Sequence, residues 1–362
     1  MLTAILMCQQ GIPFKVSPAR TQMIDELIQR KCKVIIFFPG YVIDKKLKSK
    51  AERIINTRGL YKKDIRKKIK KINPNIVICF TVEDTEICYP LPHLMRKTNF
   101  YYYNLEIYVP PHKGTSVSTY HQFMNRIDYI QNKLKEIIYV RGCCALVIQD
   151  RLRKRILSKY LIYHPNTWLI PNSYYTNHHK HGGEHKGGLI YSGSLGQDVL
   201  GSFMDNINEF QDIPITLSGW SKIIDTRVKE NSNIKVVVHD LSQEEYTKFI
   251  SEYDIALIWY SDKQDDNVYN IGLASGKFFK HLSLGQPVIV NNVPGLAKEV
   301  RKNKLGVVIN DLSELNTAVR TINTNYEFYV QNIKKIYEKR YDYQKVSKDF
   351  FDFMVNEAKG II

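Results

Sequence analysis

Short apolar runs alternate with longer amphipathic stretches along the whole chain, the pattern of repeated strand and helix units that build parallel sheets. In the first half, apolar runs predict strands at 3–8, 33–38, 75–81, 99–103 and 145–150, with a brief last one at 168–170. Between them, 21–31, 44–71, 89–97, 121–140 and 151–163 carry helical spacing. After a polar segment rich in Gly and His at 176–188, the pattern starts again. Strands are predicted at 189–192, 215–218, 234–238, 255–260, 288–291 and 306–309, and helices at 199–210, 243–252, 276–284, 296–303 and 313–322. The tail, 326–359, reads as helical, with Tyr329, Tyr337, Phe350, Phe351 and Phe353 available to pack. The fold class is therefore α/β: one domain over 1–175, a linker over 176–188, a second domain over 189–325, and C-terminal helices over 326–362 that pack back toward the first.

Composition narrows the classes. At 362 residues the chain has room for two domains of ordinary size, and an apolar share of 44% supplies real cores. No apolar run approaches the roughly 20 residues of a membrane span, and no basic leader precedes MLTAILM, so a cytoplasmic protein is expected. Cys8, Cys32, Cys79, Cys88, Cys143 and Cys144 show neither C-x-x-C nor metal-ligand spacing, which predicts core thiols. His178, His179, His181 and His185 lie among Gly and Lys without a rigid frame, so 176–188 reads as a linker rather than a metal site.

Charge changes the picture more. The net charge is +16, and between Lys45 and Lys71 thirteen Lys or Arg face two acids, with Ile54, Ile55, Leu60, Ile65 and Ile69 interspersed. Such a stretch can rest on anionic lipid, bind nucleic acid through phosphates, or be a solvated helix face. With no zinc-finger, RNP-type or helix-turn-helix signature, contact with an anionic membrane through 45–71 is the favoured functional reading, and no nucleic acid is expected.

Candidate chemistry concentrates in ASGKFFKHLSLGQPVIV, residues 274–290. Ser275 is a good N-cap, Gly276 allows close approach, and Gly285 with Pro287 supplies a stop. A helix start there, with Lys277 beside it, suits an anion such as a diphosphate. The first loop, by contrast, carries Gly11, Pro13 and Arg20 but no G-x-G-x-x-G.

The 274–290 segment resembles the donor-binding motif S-x-x-K-x-x-E-Y-L-x-x-G-x-P-V-I of GT-B glycosyltransferases of the group 4-like set, with Lys277, Leu282, Gly285, Pro287, Val288 and Ile289 in register. Tyr191-Ser-Gly-Ser-Leu195, Ser218-Gly-Trp220 and Gly295-Leu-Ala-Lys-Glu299 followed by Gly306 are similar to further elements of that family. Tyr103-Asn-Leu-Glu106, Gln149-Asp150 and Ile170-Pro-Asn172 are similar to acceptor-domain elements. The resemblance implies GT-B architecture, two Rossmann-like domains facing a cleft, and transfer of a sugar from a UDP- or GDP-linked donor, with no cofactor and no metal. It assigns donor binding to Gly193, Ser194, Gly219, Tyr260, Asn270, Ser275, Gly276, Lys277, Lys280 and Glu299, and catalysis to Lys277 and Glu106. Gly11, Pro13 and Arg20 would shape the acceptor side, for a lipid-linked or surface-glycan acceptor.

One departure stands out. The family's Glu-x7-Glu pair falls on Gly272 and Lys280, so another group, Asn270 or Glu299, would have to accept the ribose hydroxyls. Without an Asp-x-Asp, leaving-group charge would be met by Lys277, Lys280 and backbone amides, with a retaining outcome. A GT-B nucleotide-sugar epimerase and a non-catalytic basic lipid- or nucleic-acid-binding protein remain as alternatives; an epimerase would carry paired catalytic acids, which are not found.

Overall fold

The structure, a computed structural model, describes residues 1–9, 18–40, 49–107, 119–176, 188–196, 200, 202–207, 213–220, 232–238, 241–261 and 266–360. The chain divides into two units, Met1–Pro171 with Val346–Ile362, and Asn172–Lys345.

In the first unit β1 (Thr3–Met7), β2 (Lys33–Phe38), β3 (Arg53–Asn56), β4 (Ile76–Cys79), β5 (Asn99–Tyr103), β6 (Ala145–Ile148) and β7 (Thr167–Leu169) form one sheet in the order β3-β2-β1-β4-β5-β6-β7. Every pairing is parallel. Helices cover both faces of such a sheet, so strands like IVIC are apolar at every position. The helices are α1 (Pro18–Gln29), α2 (Lys62–Ile72), α3 (Val82–Cys88), α4 (Thr119–Gly142) and α5 (Arg151–Lys159). Ile65 and Ile69 of α2, Ile87 of α3, Tyr139 of α4 and Leu157 of α5 join one core with Ile5, Val77 and Phe100, which puts these four helices on the same sheet face.

The second unit repeats the plan. β8 (Leu189–Ser194), β9 (Ile215–Trp220), β10 (Ile234–Val238), β11 (Ile255–Ile258), β12 (Val288–Asn291) and β13 (Gly306–Ile309) run parallel in the order β10-β9-β8-β11-β12-β13. Its helices are α6 (Gln243–Ile250), α7 (Gly276–Ser283), α8 (Leu296–Asn303), α9 (Leu315–Thr324) and α10 (Tyr326–Arg340). One apolar cluster gathers Leu217, Leu257 and Leu315, and another gathers Ile190, Ile258 and Phe278. Ile190 and Tyr191 fall in different clusters because successive strand residues face opposite ways.

The last helix, α11 (Tyr343–Ala358), starts in the second unit and ends in the first. Its Phe350 stands edge-on to Tyr101 of β5 at 6.0 Å and to Trp168 of β7 at 5.7 Å. Tyr101 lies on the sheet face opposite Tyr102, so α11 lies on the other side from α2 to α5, next to the end of α1, where Arg30 meets Asp352 and Phe351.

Three expectations need correction. The stretch 44–71 is not one helix: 41–48 lie outside the described residues, Arg53–Asn56 is a strand, and the helix begins at Lys62. The β-branched pair Ile54-Ile55 extends alongside Ile36 and Phe37 of β2, and Gly59 at φ +76° turns the chain before α2. The short helix expected near 89–97 is a single turn at Leu91–Leu94, and α3, started by a Thr81–Asp84 capping box, precedes it unforeseen. Of the C-terminal helices expected to pack toward the first unit, α10 belongs instead to the second, where Ile333 and Tyr337 are core residues, and the break between them falls at Tyr341 and Asp342. Of the helix at 199–210, Ser202–Asp205 is observed, and much of the remainder lies outside the described residues. All six cysteines are free thiols.

Phe350→Ala should destabilise the protein by about 3–5 kcal/mol, because it removes the aromatic side chain between β5 and β7. Guanidinium unfolding followed by tryptophan fluorescence checks this, and a loss below about 1 kcal/mol would mean α11 is not anchored there.

Candidate functional site

An open parallel sheet presents its ligand site outside the carboxyl ends of the strands, at the point where strand order reverses. In the second unit that point lies between β8 and β11. β8 ends at Gly193-Ser194, beside Gly219-Trp220 of β9. Gly193 sits at φ +154°, and a Cβ on Gly219 would lie 1.6 Å from the Gly193 carbonyl oxygen. These glycines let the two strand ends approach more closely than any side chain permits.

Across the reversal, β11 continues into Trp259 and Tyr260. Asn291, the last residue of β12, holds Tyr260 from both sides: its Oδ1 accepts from the Tyr260 amide at 3.1 Å and its Nδ2 donates to the Tyr260 carbonyl at 2.6 Å. The Tyr260 hydroxyl is 2.5 Å from Ser275 Oγ, and that oxygen accepts from the Phe278 amide at 3.2 Å as the N-cap of α7. The first intrahelical bond of α7 runs from the Phe279 amide to the Ser275 carbonyl. The Gly276 and Lys277 amides therefore precede the helix's own acceptors, as first-turn donors do.

Lys277 is the centre of this arrangement. Its Nζ donates to the Trp259 carbonyl at 2.7 Å and lies 3.9 Å from the Tyr260 ring centroid and 5.0 Å from that of Tyr191. Among the described residues no carboxylate is within ion-pair distance of it. Two ring faces attract the cation, yet they replace water incompletely. Burial pushes the ammonium pKa down from 10.5 to about 7. Burial also pushes the Tyr191 and Tyr260 hydroxyls upward, so both stay neutral.

The second lysine of the motif goes elsewhere. Lys280 is buried, its Nζ donates to Thr247 Oγ1 of α6 at 2.5 Å, and it lies 4.8 Å over the Tyr174 ring. The sequence reading set it beside Lys277 at the diphosphate, whereas the structure spends it on α6. Glu299 of α8 likewise accepts from Asn303 at 2.6 Å, from the Tyr341 hydroxyl, and from Arg340 at 3.3 Å, so its carboxylate is held at the end of α10. Asn270 is half-buried in the turn before α7. Gly272, where the family pattern has an acid, stands at φ +46°, a backbone that a glutamate would adopt only under strain. The loop containing it is fixed by Asn172, whose amide donates to the Leu273 carbonyl at 2.9 Å and whose Nδ2 donates to that of Ala274 at 3.0 Å.

Sequence reasoning missed Asn291, the structural use of Asn172, and His281. The His281 ring is buried between Ser192 Oγ and Gln286 Oε1, each at 2.6 Å, and ties α7 to β8. An Asn closing an apolar strand, as in VIVN, was the available signal for the first.

In the first unit the corresponding reversal lies between β1 and β4. Gly11 and Pro13 lie outside the described residues. Arg20 is buried in the first turn of α1, with its guanidinium 5.4 Å over the Phe80 ring. Beside it, buried Asp84 accepts from the amides of Gln9 at 2.8 Å, Phe80 at 2.9 Å and Thr81 at 3.1 Å. Burial raises the Asp84 pKa, opposed by Arg20 and by the amides of Gln9 and Phe80. Glu106 is exposed three residues beyond β5. Near it Arg153 is buried, donates to the Leu105 carbonyl at 3.1 Å, and has its pKa lowered by burial to about 10 against the opposing fields of Asp150 and Glu106. Among the described residues no group of His, Cys, Asp and Glu could hold a metal ion.

Residues 189–342 match the family model described as "Glucosyltransferase 3-like, C-terminal domain". No curated protein is close enough in sequence to count as a match. Among solved structures, the chain is similar to HepE of Anabaena in complex with UDP and glucose, with a TM-score of 0.71 at 10% identity over 98% of this chain and 100% of that one. Sucrose-phosphate synthase of Thermosynechococcus elongatus gives 0.71 at 11%, over 99% and 100%. WaaG, a glycosyltransferase involved in lipopolysaccharide biosynthesis, gives 0.68 at 13%, over 98% and 99%. At such identities the likeness is one of fold, and the fold is GT-B.

Gly219→Ala should cost about 1–3 kcal/mol, or more if β8 and β9 cannot part, checked by the denaturation midpoint. A second prediction follows from the lowered Lys277 pKa. Between pH 7 and 10.5 the unfolded chain binds more protons at this lysine than the folded one, so stability should rise with pH, at most about 1.4 kcal/mol per pH unit. Thermal melts of the wild type and Lys277→Met across pH 6–9 check this: the variant should lose that part of the slope.

Proposed function

From a GT-B chain whose second unit matches a glucosyltransferase 3-like domain, we propose a glycosyltransferase that moves a sugar from a nucleoside-diphosphate sugar to an acceptor hydroxyl. The observation that carries this reading is Lys277 at the start of α7, where the strand order reverses, with its Nζ on the Trp259 carbonyl and the Tyr260 ring and no carboxylate of the described residues at ion-pair distance. A diphosphate fits the charge and the donors available there: one ammonium and the first-turn amides of Gly276 and Lys277. As the bond between the anomeric carbon and the diphosphate oxygen breaks, negative charge grows on the diphosphate. Donors already fixed in place stabilise that charge more than they stabilise the bound donor.

In this proposal leaving-group stabilisation rests on Lys277 and the helix start rather than on a divalent cation, and the outcome is retaining. Gly193, Ser194 and Gly219 leave room for the donor beside β8, and Tyr260 and Ser275 set the helix start. Glu106 is the acceptor-side carboxylate. The complexes of HepE with UDP and with UDP-glucose support a uridine donor over a guanosine one. WaaG's involvement in lipopolysaccharide biosynthesis supports a surface-glycan or lipid-linked acceptor, reached at the cytoplasmic face of a membrane through the basic segment that includes α2.

Lys277→Ala should weaken UDP binding by about 10- to 100-fold in calorimetry, as expected for losing a charge-assisted contact. Unchanged binding overturns the assignment. Burial lowers the Lys277 pKa, so a bound diphosphate that restores the charge should draw up a proton at pH 8. Binding heats in buffers of different ionisation enthalpy will show this uptake in the wild type and not in Lys277→Met.

A further inference from the structure

The cations of α2 do not stand alone on their side of the first unit. α2, α3 and α4 lie next to one another on one sheet face, and Glu86 of α3 joins the outer two, with Lys62 at 2.5 Å and Lys135 at 2.7 Å. α2 buries Ile65 and Ile69 and exposes Lys67, Lys68, Lys70 and Lys71. α4 buries Tyr139 and Val140 but leaves Ile130, Leu134 and Ile138 at 56%, 54% and 41% exposure. Their i, i+4, i+8 spacing makes one ridge on the outer surface. Leu94, 62% exposed, lies near the end of the ridge, since His93 beside it bonds to the Ile138 carbonyl at 3.3 Å.

We propose that this ridge and the α2 lysines form one interfacial surface, on which the apolar ridge of α4 enters the headgroup layer of an anionic bilayer while the lysines meet the headgroups. The lysines alone would give adsorption that salt reverses; the ridge adds a contact that salt does not screen. Charge complementarity selects this occupant. A second copy docked through the same face would bring two sets of α2 lysines together, whereas an anionic lipid surface neutralises them. With helix axes about 8–10 Å apart, ridge and lysines lie within about 20 Å, inside the footprint of one membrane contact. Among the described residues no helix is long and apolar enough to cross a membrane, so this is a surface contact. The benefit to catalysis, a seat beside a lipid-linked acceptor, rests on the proposed glycosyltransferase function; the surface does not.

The test uses the full-length protein and sedimentation with vesicles of phosphatidylglycerol and phosphatidylcholine, or of phosphatidylcholine alone, in 0.1 M and 1 M salt. The wild type should bind the anionic vesicles in both salts, more weakly in 1 M. Replacing Lys67, Lys68, Lys70 and Lys71 with Gln should lower binding in 0.1 M salt by at least about tenfold. Replacing Ile130, Leu134 and Ile138 with Gln should abolish the binding that survives 1 M salt. These ridge positions are already exposed, and an unchanged melting temperature confirms that the variant folds. Three results overturn the proposal: no vesicle binding by the wild type, wild-type binding in both salts by the ridge variant, or a wild-type dimer by light scattering that the ridge variant turns into a monomer. UDP binding is measured on every variant. If UDP fails to bind any of them while vesicles bind as described, the glycosyltransferase reading falls and the lipid surface stands.

Discussion

A lysine whose Nζ rests on a carbonyl and two tyrosine faces, with no carboxylate of the described residues at ion-pair distance, is the constraint on which the candidate site of the second unit depends. Desolvating a cation is costly, and here the compensation is one carbonyl and two tyrosine faces. Each needs its own support. Asn291 fixes the backbone of Tyr260, Tyr191 is a core residue of β8, and Ser275 binds the Tyr260 hydroxyl while capping α7. Incomplete compensation is what lowers the lysine's pKa.

The supports around it are mostly amides and hydroxyls, which hold the site without adding negative charge. Asn172 fixes the loop before α7, and His281 with Gln286 ties the helix to neighbouring elements. Among the described residues, the acids that family resemblance points to are placed elsewhere. Glu299 belongs to the end of α10, and the position of a family acid is a glycine whose backbone angle suits the turn. A carboxylate beside Lys277 would have raised its pKa and competed with a diphosphate.

The sheets were the most legible part of the sequence, because buried parallel strands write themselves as apolar runs: 33–38, 99–103, 234–238 and 288–291 match the observed strands residue for residue. β3 was hidden because lysines and arginines flank its Ile54-Ile55 pair, and the helical spacing of α2 was extended back across it. In 274–290 the cap, the helix and the stop could be read locally. The destinations of the long side chains could not. Lys277 and Lys280 differ by less than a turn of helix, yet one reaches Trp259 and the other Thr247, and those partners come from elements distant in the chain. Spacing gives the face of a helix, whereas tertiary packing decides what that face meets.

The discontinuity of the first unit bears on how the protein is made. Residues 172–345 are contiguous, so the second unit can assemble as soon as it leaves the ribosome. The first unit, although synthesised earlier, must wait for Phe350 and the rest of α11 before the far face of its sheet, with Tyr101 and Trp168, is covered. The order of completion is therefore the reverse of the order of translation, and until α11 is made the part of that face around Tyr101 and Trp168 lacks its cover.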